Sequence, residues 1–244
     1  MALNPMHQFE IYKIGPEINL GGINLSFTNA SLFMAISAIL ILSLLFFGTK
    51  KKSLIPSKIQ LITEMSYALI AKMINDTAGS SAKAFFPFVF TLFMFVLFCN
   101  MVGMLPYSFT VTSQIIVTFM LAATIFIGVT IIGFIKHGIK YLELFVPKGV
   151  PIVLLPLIIV IEIISYLARP VSLSVRLFAN MLAGHTMLKV FGGFVISLGL
   201  LGGWLPLSFS VALTGLEILI AFLQAYVFAI LTCIYLNDAL NLHH

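Results

Sequence analysis

Ala168-Arg169-Pro170-Val171-Ser172-Leu173-Ser174-Val175-Arg176-Leu177-Phe178-Ala179-Asn180-Met181-Leu182-Ala183-Gly184-His185 lies inside a long apolar run. In a bilayer such side chains are expensive: a charge at a helix centre costs roughly 2.5 to 3.5 kcal/mol on insertion scales. Guanidinium cannot shed its proton to escape that cost. Arg176 therefore requires a water-lined cavity or a carboxylate partner, and it is the first candidate for a functional group.

The rest of the composition agrees with a membrane setting. Of the 244 residues, 61% are hydrophobic and 9% charged, against about 25% charged in soluble domains. The expected class is an all-α integral membrane protein forming a single membrane domain over residues 1–244. The net charge of +5 comes mostly from lysines in two short connections, a pattern that marks orientation and argues against a nucleic-acid surface. Cys99 and Cys233 both fall in apolar runs, so they read as packing residues, with no disulfide framework and no metal site. Residues 1–29 are mixed and polar, with no basic start leading into an apolar core, so they read as an external arm with no secretory signal.

Residues 30–48 are long enough for a first crossing, which needs about 20 residues, and they run into Lys50, Lys51 and Lys52. In residues 53–83, Ile59, Ile62, Met65, Leu69 and Met73 recur at spacings of three and four, with Lys58, Glu64, Lys72 and Asp76 between them. That is an amphipathic helix, lying at the interface or packed on a partner. A helical hairpin follows over residues 85–135. Its first arm, 85–105, closes at Pro106; its second is 114–135. Lys136, His137, Lys140 and Lys148 then gather against Glu143. The two lysine-rich connections are separated by two spans, which places both on the cytoplasmic or matrix side and the N-terminus outside.

The apolar run 151–190 would be about 60 Å long as a helix, twice a hydrocarbon core of about 30 Å. Either Arg169-Pro170 breaks it into two crossings, or one helix lies strongly tilted. Turn signals come next at Gly192-Gly193 and between Gly199 and Pro206. The last helical run is 207–236, leaving Asn237, Asp238, His243 and His244 as a tail. No internal repeat is visible.

On a helical wheel with Arg176 at zero, Asn180 falls at about +40°, Ser172 at about −40°, Arg169 at about +20° and Glu162 at about +40°. His185 falls at about 180°, the opposite face. In the last helix Glu217 and Gln224 are seven residues apart and share a face. Two polar stripes on neighbouring helices imply a hydrated or proton-conducting path, because polar groups are not tolerated against lipid. The competing structural readings are interhelical hydrogen bonding for Ser172, Asn180 and Gln224, snorkelling for Glu162 and Arg169, and a fixed pair for His185 and Glu217.

Residues 169–185, from Arg169-Pro170-Val171-Ser172 through Val175-Arg176-Leu177 to Gly184-His185, closely resemble the hallmark motif of subunit a of F-type ATP synthases. Asn100-Met101-Val102-Gly103-Met104-Leu105-Pro106 and Leu223-Gln224-Ala225-Tyr226-Val227-Phe228 support the resemblance. It implies about five membrane helices plus the amphipathic one, with 151–236 as a tilted hairpin against a ring of c subunits. Arg176 would be the essential charge facing the ring carboxylates. Asn180, His185, Glu217 and Gln224 would line one half-channel, with Glu162, Arg169 and Ser172 nearer the cytoplasmic path. Some bacterial members carry the acid and the histidine of the His185/Glu217 pair in exchanged positions. Implied partners are the c ring, peripheral-stalk b subunits, lipid and, indirectly, the F1 sector, in a bacterial or mitochondrial inner membrane. The implied role is a non-catalytic channel subunit without cofactor. The chain has no Gly-rich phosphate loop with a following lysine, so it holds no nucleotide itself. Two other classes compete. A self-contained secondary transporter usually shows repeated halves. An intramembrane enzyme would need a clustered nucleophile and base or metal ligands, whereas His7, His137, His185, His243 and His244 are scattered.

Overall fold

A computed structural model describes residues 9–14, 19–20, 23–24, 26–50, 55–105, 108–146 and 154–241. Pro106, Lys51, Lys52, Lys148, His243 and His244 lie outside the described residues. The described residues form six α-helices: α1 (Asn29–Lys50), α2 (Lys58–Ala78), α3 (Phe86–Gly103), α4 (Ile115–His137), α5 (Leu155–Gly202) and α6 (Trp204–Leu240). Five of them, all but α2, are long and apolar enough to cross a membrane. The protein is an all-α integral membrane protein. Its N-terminal arm adds a ribbon of two short strands, β1 (Asn19–Leu20) and β2 (Ile23–Asn24).

The arm is tied to the helices by side-chain hydrogen bonds. The Gln114 side chain donates to the Phe9 carbonyl at 2.8 Å. Asn29, which opens α1, accepts from the Tyr12 amide at 3.2 Å and donates to the Glu10 carbonyl at 3.1 Å.

The Ser57 hydroxyl caps α2 by accepting from the Gln60 amide, filling one of the free donors of a first turn. The apolar stripe read from the periodicity of α2 divides, with Met73 buried and Leu69 packed on the core but its earlier members facing outward. Gln60, Thr63, Ile70, Met73, Ile74 and Ala78 are buried, while Ile59, Ile62 and Met65 point outward and are exposed. The helix is apolar on two sides. The inner side packs against α1 and α6, where the Thr63 side chain lies so close to Gly48 that any Cβ there would collide with it.

The core gathers Ile70 and Ile74 of α2, Phe93 of α3, Ile125 of α4, Leu173 and Leu177 of α5, and Phe228 of α6. Ala221, Ala225, Ala229 and Cys233 form a buried small-residue stripe on α6, the kind of surface that lets membrane helices approach closely. Cys99 and Cys233 are both buried and free.

The ambiguity over 151–190 resolves in favour of one helix. The helix passes through Pro170 without a break and runs from Leu155 to Gly199, 45 residues, about 68 Å at 1.5 Å per residue. Proline in an aqueous helix interior would cost about 3 kcal/mol. In a membrane, neighbouring helices support the freed backbone groups, and α5 packs along both α4 and α6. Gly192 and Gly193 stay helical; the turn comes at Gly199, whose φ of 62° is left-handed and suits glycine. At Gly203 a Cβ would stand 2.5 Å from the Gly199 carbonyl oxygen, so the joint between α5 and α6 admits no side chain there. α6 then runs past 236 to Leu240, and Asn237 and Asp238 belong to the helix, not to a tail. The helix continues because its hydrogen bonding does not depend on apolar side chains. Its last turn is also held from α4: Lys136 Nζ lies 2.9 Å and His137 Nε2 3.2 Å from the Leu240 carbonyl oxygen. Cationic groups are favoured at that end of a helix dipole.

Candidate proton path

The α5–α6 hairpin is antiparallel, so residues that ascend along α5 meet residues that descend along α6. Three polar couples follow from that register. At one end, Arg169 Nη1 of α5 lies 2.9 Å from Asp238 Oδ2 of α6. In the middle, Asn180 Nδ2 donates to Gln224 Oε1 at 2.8 Å. Toward the other end, His185 Nδ1 lies 3.5 Å from Glu217 Oε1. From Glu217 to Asp238 is 21 residues of helix, about 32 Å, so the couples extend over a hydrocarbon thickness.

The couples differ in how they are held. The Arg169 guanidinium sits 5.4 Å from the Tyr166 ring centroid and 5.1 Å from that of Tyr235, within the range of cation–π attraction. The Tyr166 hydroxyl contacts Thr130 of α4 at 2.7 Å and the Tyr141 hydroxyl at 3.1 Å. That end is a closed polar network. At the other end His185 Nε2 contacts Thr110 Oγ1 at 3.0 Å, and Glu217 is 4% exposed with neither carboxylate oxygen hydrogen-bonded. The Cβ that Gly184 lacks would stand 2.7 Å from Glu217 Oε1, so the glycine makes the room that the carboxylate occupies.

More buried polar atoms collect near the middle couple. Asn100 of α3 donates to the Ala221 carbonyl at 3.2 Å, but its Oδ1 has no partner, nor do Gln224 Nε2 and Thr112 Oγ1. Most buried polar groups in folded proteins are satisfied. Unsatisfied atoms on Glu217 itself and on Gln224, along one face of α6, mark a place with capacity for water or a passing proton.

Arg176 stands apart. It is exposed on the open face of α5 with Val171, Ser172, Val175, Ala179 and Asn180. Among the described residues it makes no ion pair and no hydrogen bond. Leu173, Leu177 and Met181, on the other side of the same turns, are buried in the protein. The stripe read from the wheel is thus split by partner: Arg169 and Asn180 bond to α6, Asn180 from the edge of the open face, while Ser172 and Arg176 make no bond to it. Glu162 is half-buried and joins none of the couples.

A family profile described as ATP synthase A chain matches residues 31–237. The chain belongs to the ATP synthase subunit a family. It is 77% identical over 244 residues to ATP synthase subunit a of Pelagibacter ubique, covering all of both chains. It is 61% identical over 247 residues to the subunit a of Rhizobium rhizogenes, covering 99% of this chain and 98% of that one. The subunit a of Chelativorans sp. is 58% identical over 250 residues, with both chains fully covered. As a member of the subunit a family, the protein is an integral membrane, ion-transporting component of an ATP synthase.

Subunit a membership makes the residues that sequence reasoning overlooked more informative. Asp238 falls 14 residues beyond Gln224, on the same face within about 40°, a signal hidden when the helix is ended at 236. Thr110 and Thr112 lie in an uncharged connection that offered no pattern to read. Asn100 was visible only as part of a motif.

Proposed function

We propose that this subunit a conducts protons through two offset half-channels to and from carboxylates on a c ring, with Arg176 as the fixed charge those carboxylates must pass. The observation that carries this reading is Arg176 itself, a permanent cation on an open apolar helix face with no anion in ion-pair reach among the described residues. Against lipid that position would cost roughly 3 kcal/mol. Against a partner's carboxylate it becomes favourable, and it favours the ionised form of that carboxylate. A self-contained transporter would supply the counter-charge from its own chain.

Each ring carboxylate must be neutral to face lipid and can ionise only beside water or a cation. On one side, His185, Glu217, Asn180 and Gln224, with Asn100 bonded to α6 at Ala221, form the half-channel that exchanges protons with the ring. On the other side, Glu162 and Ser172 line the second path, and Arg169 with Asp238 closes its wall. Arg176 carries no proton onward, so it blocks a direct leak between the two and forces protons around the ring. A membrane potential supplies about 2.3 kcal/mol per charge per 100 mV, which rotation passes to nucleotide sites outside this chain. The peripheral-stalk b subunits hold the chain still, and the outward face of α2 lies at the membrane surface. The end of the fold carrying Lys136, His137 and Asp238 faces the cytoplasm and the N-terminal arm faces outside, in a bacterial inner membrane.

The test is purification in mild detergent followed by reconstitution in vesicles. A stable complex with a small ring-forming subunit, and proton-driven ATP synthesis that disappears in Arg176→Ala, are expected. A lone polypeptide that transports ions unaided, or near-normal synthesis in Arg176→Ala, would refute the reading.

A further inference from the structure

Thr110 Oγ1 has two partners. It donates to the Gly103 carbonyl at 3.2 Å and contacts His185 Nε2 at 3.0 Å. The hydroxyl owns one proton, and a carbonyl can only accept. Both contacts are made together only if the Thr110 hydroxyl donates to Gly103 and accepts from His185. The proton of the neutral ring then sits on Nε2, and Nδ1 carries the lone pair. The position of Thr110 leaves little slack, because a Cβ on Gly103 would come 2.8 Å from its Cγ2. The Ser108 hydroxyl lies 2.9 Å from the same Gly103 carbonyl and 2.7 Å from that of Leu105, sharing its proton between them and holding the connection against the end of α3.

We infer that Thr110 is a positioning residue that fixes the tautomer of His185, so that His185 exchanges its proton only at Nδ1, the atom facing Glu217. This deepens the proton-path reading and rests on it. The ring then does not relay a proton from one nitrogen to the other, since Nε2–H is committed to a hydroxyl whose own proton is spent on a carbonyl. Instead the pair shares one proton along the Nδ1–Oε1 line, 3.5 Å long at rest and largely shielded from solvent, with side-chain exposures of 12% and 5%. When Glu217 is a neutral acid, its O–H donates to the bare Nδ1. When the proton crosses, the O–H bond breaks, an Nδ1–H bond forms, and imidazolium faces carboxylate. The reverse transfer restores the starting pair with nothing else consumed. Glu217 is thus the member that trades protons with the path, and His185 is its poised acceptor.

The experiment is ¹⁵N magic-angle-spinning NMR of the intact, histidine-labelled complex in lipid vesicles, with the His185 signals assigned by their loss in His185→Gln. At a pH where the ring is neutral, the wild type is expected to show a protonated Nε2 and a bare Nδ1. Thr110→Ser keeps that pattern. Thr110→Val leaves Nε2–H facing a methyl group, so the proton moves to Nδ1. Proton flux through the membrane sector then falls by at least about threefold as the competent tautomer is depleted, and Thr110→Ser restores it. A wild-type ring protonated on Nδ1 would overturn the inference, as would an unchanged tautomer in Thr110→Val. The wild-type spectrum decides even if the valine variant fails to assemble. Near-normal synthesis in Arg176→Ala would remove the proton-path reading without touching the tautomer, so the two failures are distinguishable.

Discussion

Arg169 and Arg176 sit two turns apart on one side of the same helix and are treated in opposite ways. Arg169 is enclosed: Asp238 reaches it from α6, Tyr166 and Tyr235 flank it, and a hydroxyl network continues from Tyr166 to α4. Arg176 has no ion pair and no hydrogen bond among the described residues, and it stands on the open face. A membrane protein that pairs one guanidinium within its own fold has the means to pair the other. Leaving it bare therefore separates a charge that anchors a fold from a charge held ready for another molecule.

The largest effect that could break this contrast is at the bare arginine. Arg176→Ala should lower proton-driven ATP synthesis in vesicles by at least about a hundredfold, the scale of removing a preorganised charge. The protein should still assemble, because among the described residues Arg176 makes no ion pair and no hydrogen bond. Arg176→Lys should also lose on the order of tenfold or more, since ammonium differs in shape and can deprotonate; full activity with lysine would make the site a mere point charge.

Next come His185 and Glu217. Single alanine changes should each cut proton flux by about tenfold or more, as losses of proton-transfer groups do. Exchanging the two residues should recover part of the flux, and no recovery would argue against a shared proton. Gly184→Ala should give a milder, severalfold loss, because the new Cβ displaces the Glu217 carboxylate that it would meet at 2.7 Å.

The smallest effect belongs to the enclosed arginine. Asp238→Asn breaks a half-exposed ion pair that is worth about 1 kcal/mol. Thermal unfolding in detergent should register that loss, while synthesis changes by less than about twofold. If Asp238→Asn were instead as damaging to synthesis as Arg176→Ala, the division between anchor and gate would be wrong.

Sequence periodicity made the stripe on α5 legible, because a cost of several kcal/mol per buried charge leaves few explanations for arginine in an apolar run. It also placed His185 on the far side of the helix from Arg176, and the structure puts His185 against Thr110 and Glu217 while Arg176 stays on the open face. The inward face of α2 was not legible. Ile59 and Ile62 are as apolar as Ile70 and Ile74, and only the neighbours decide which set is covered. Asp238 is hidden from the sequence because hydropathy drops at 236, whereas backbone hydrogen bonding carries α6 on to Leu240. Thr110 was missed for a different reason: its partner lies 75 residues away, and no local pattern reports such a contact.

The glycine joint between α5 and α6 has a bearing on how such chains can diverge. A helix advances 1.5 Å and turns about 100° with every added residue. One residue spliced in at Gly203 would swing Glu217, Gln224 and Asp238 off their mates in a single stroke, so insertions are expected in the surface connections and not at this corner. The corner works as a ruler, and a chain that lengthened it would lose its calibration at three places at once.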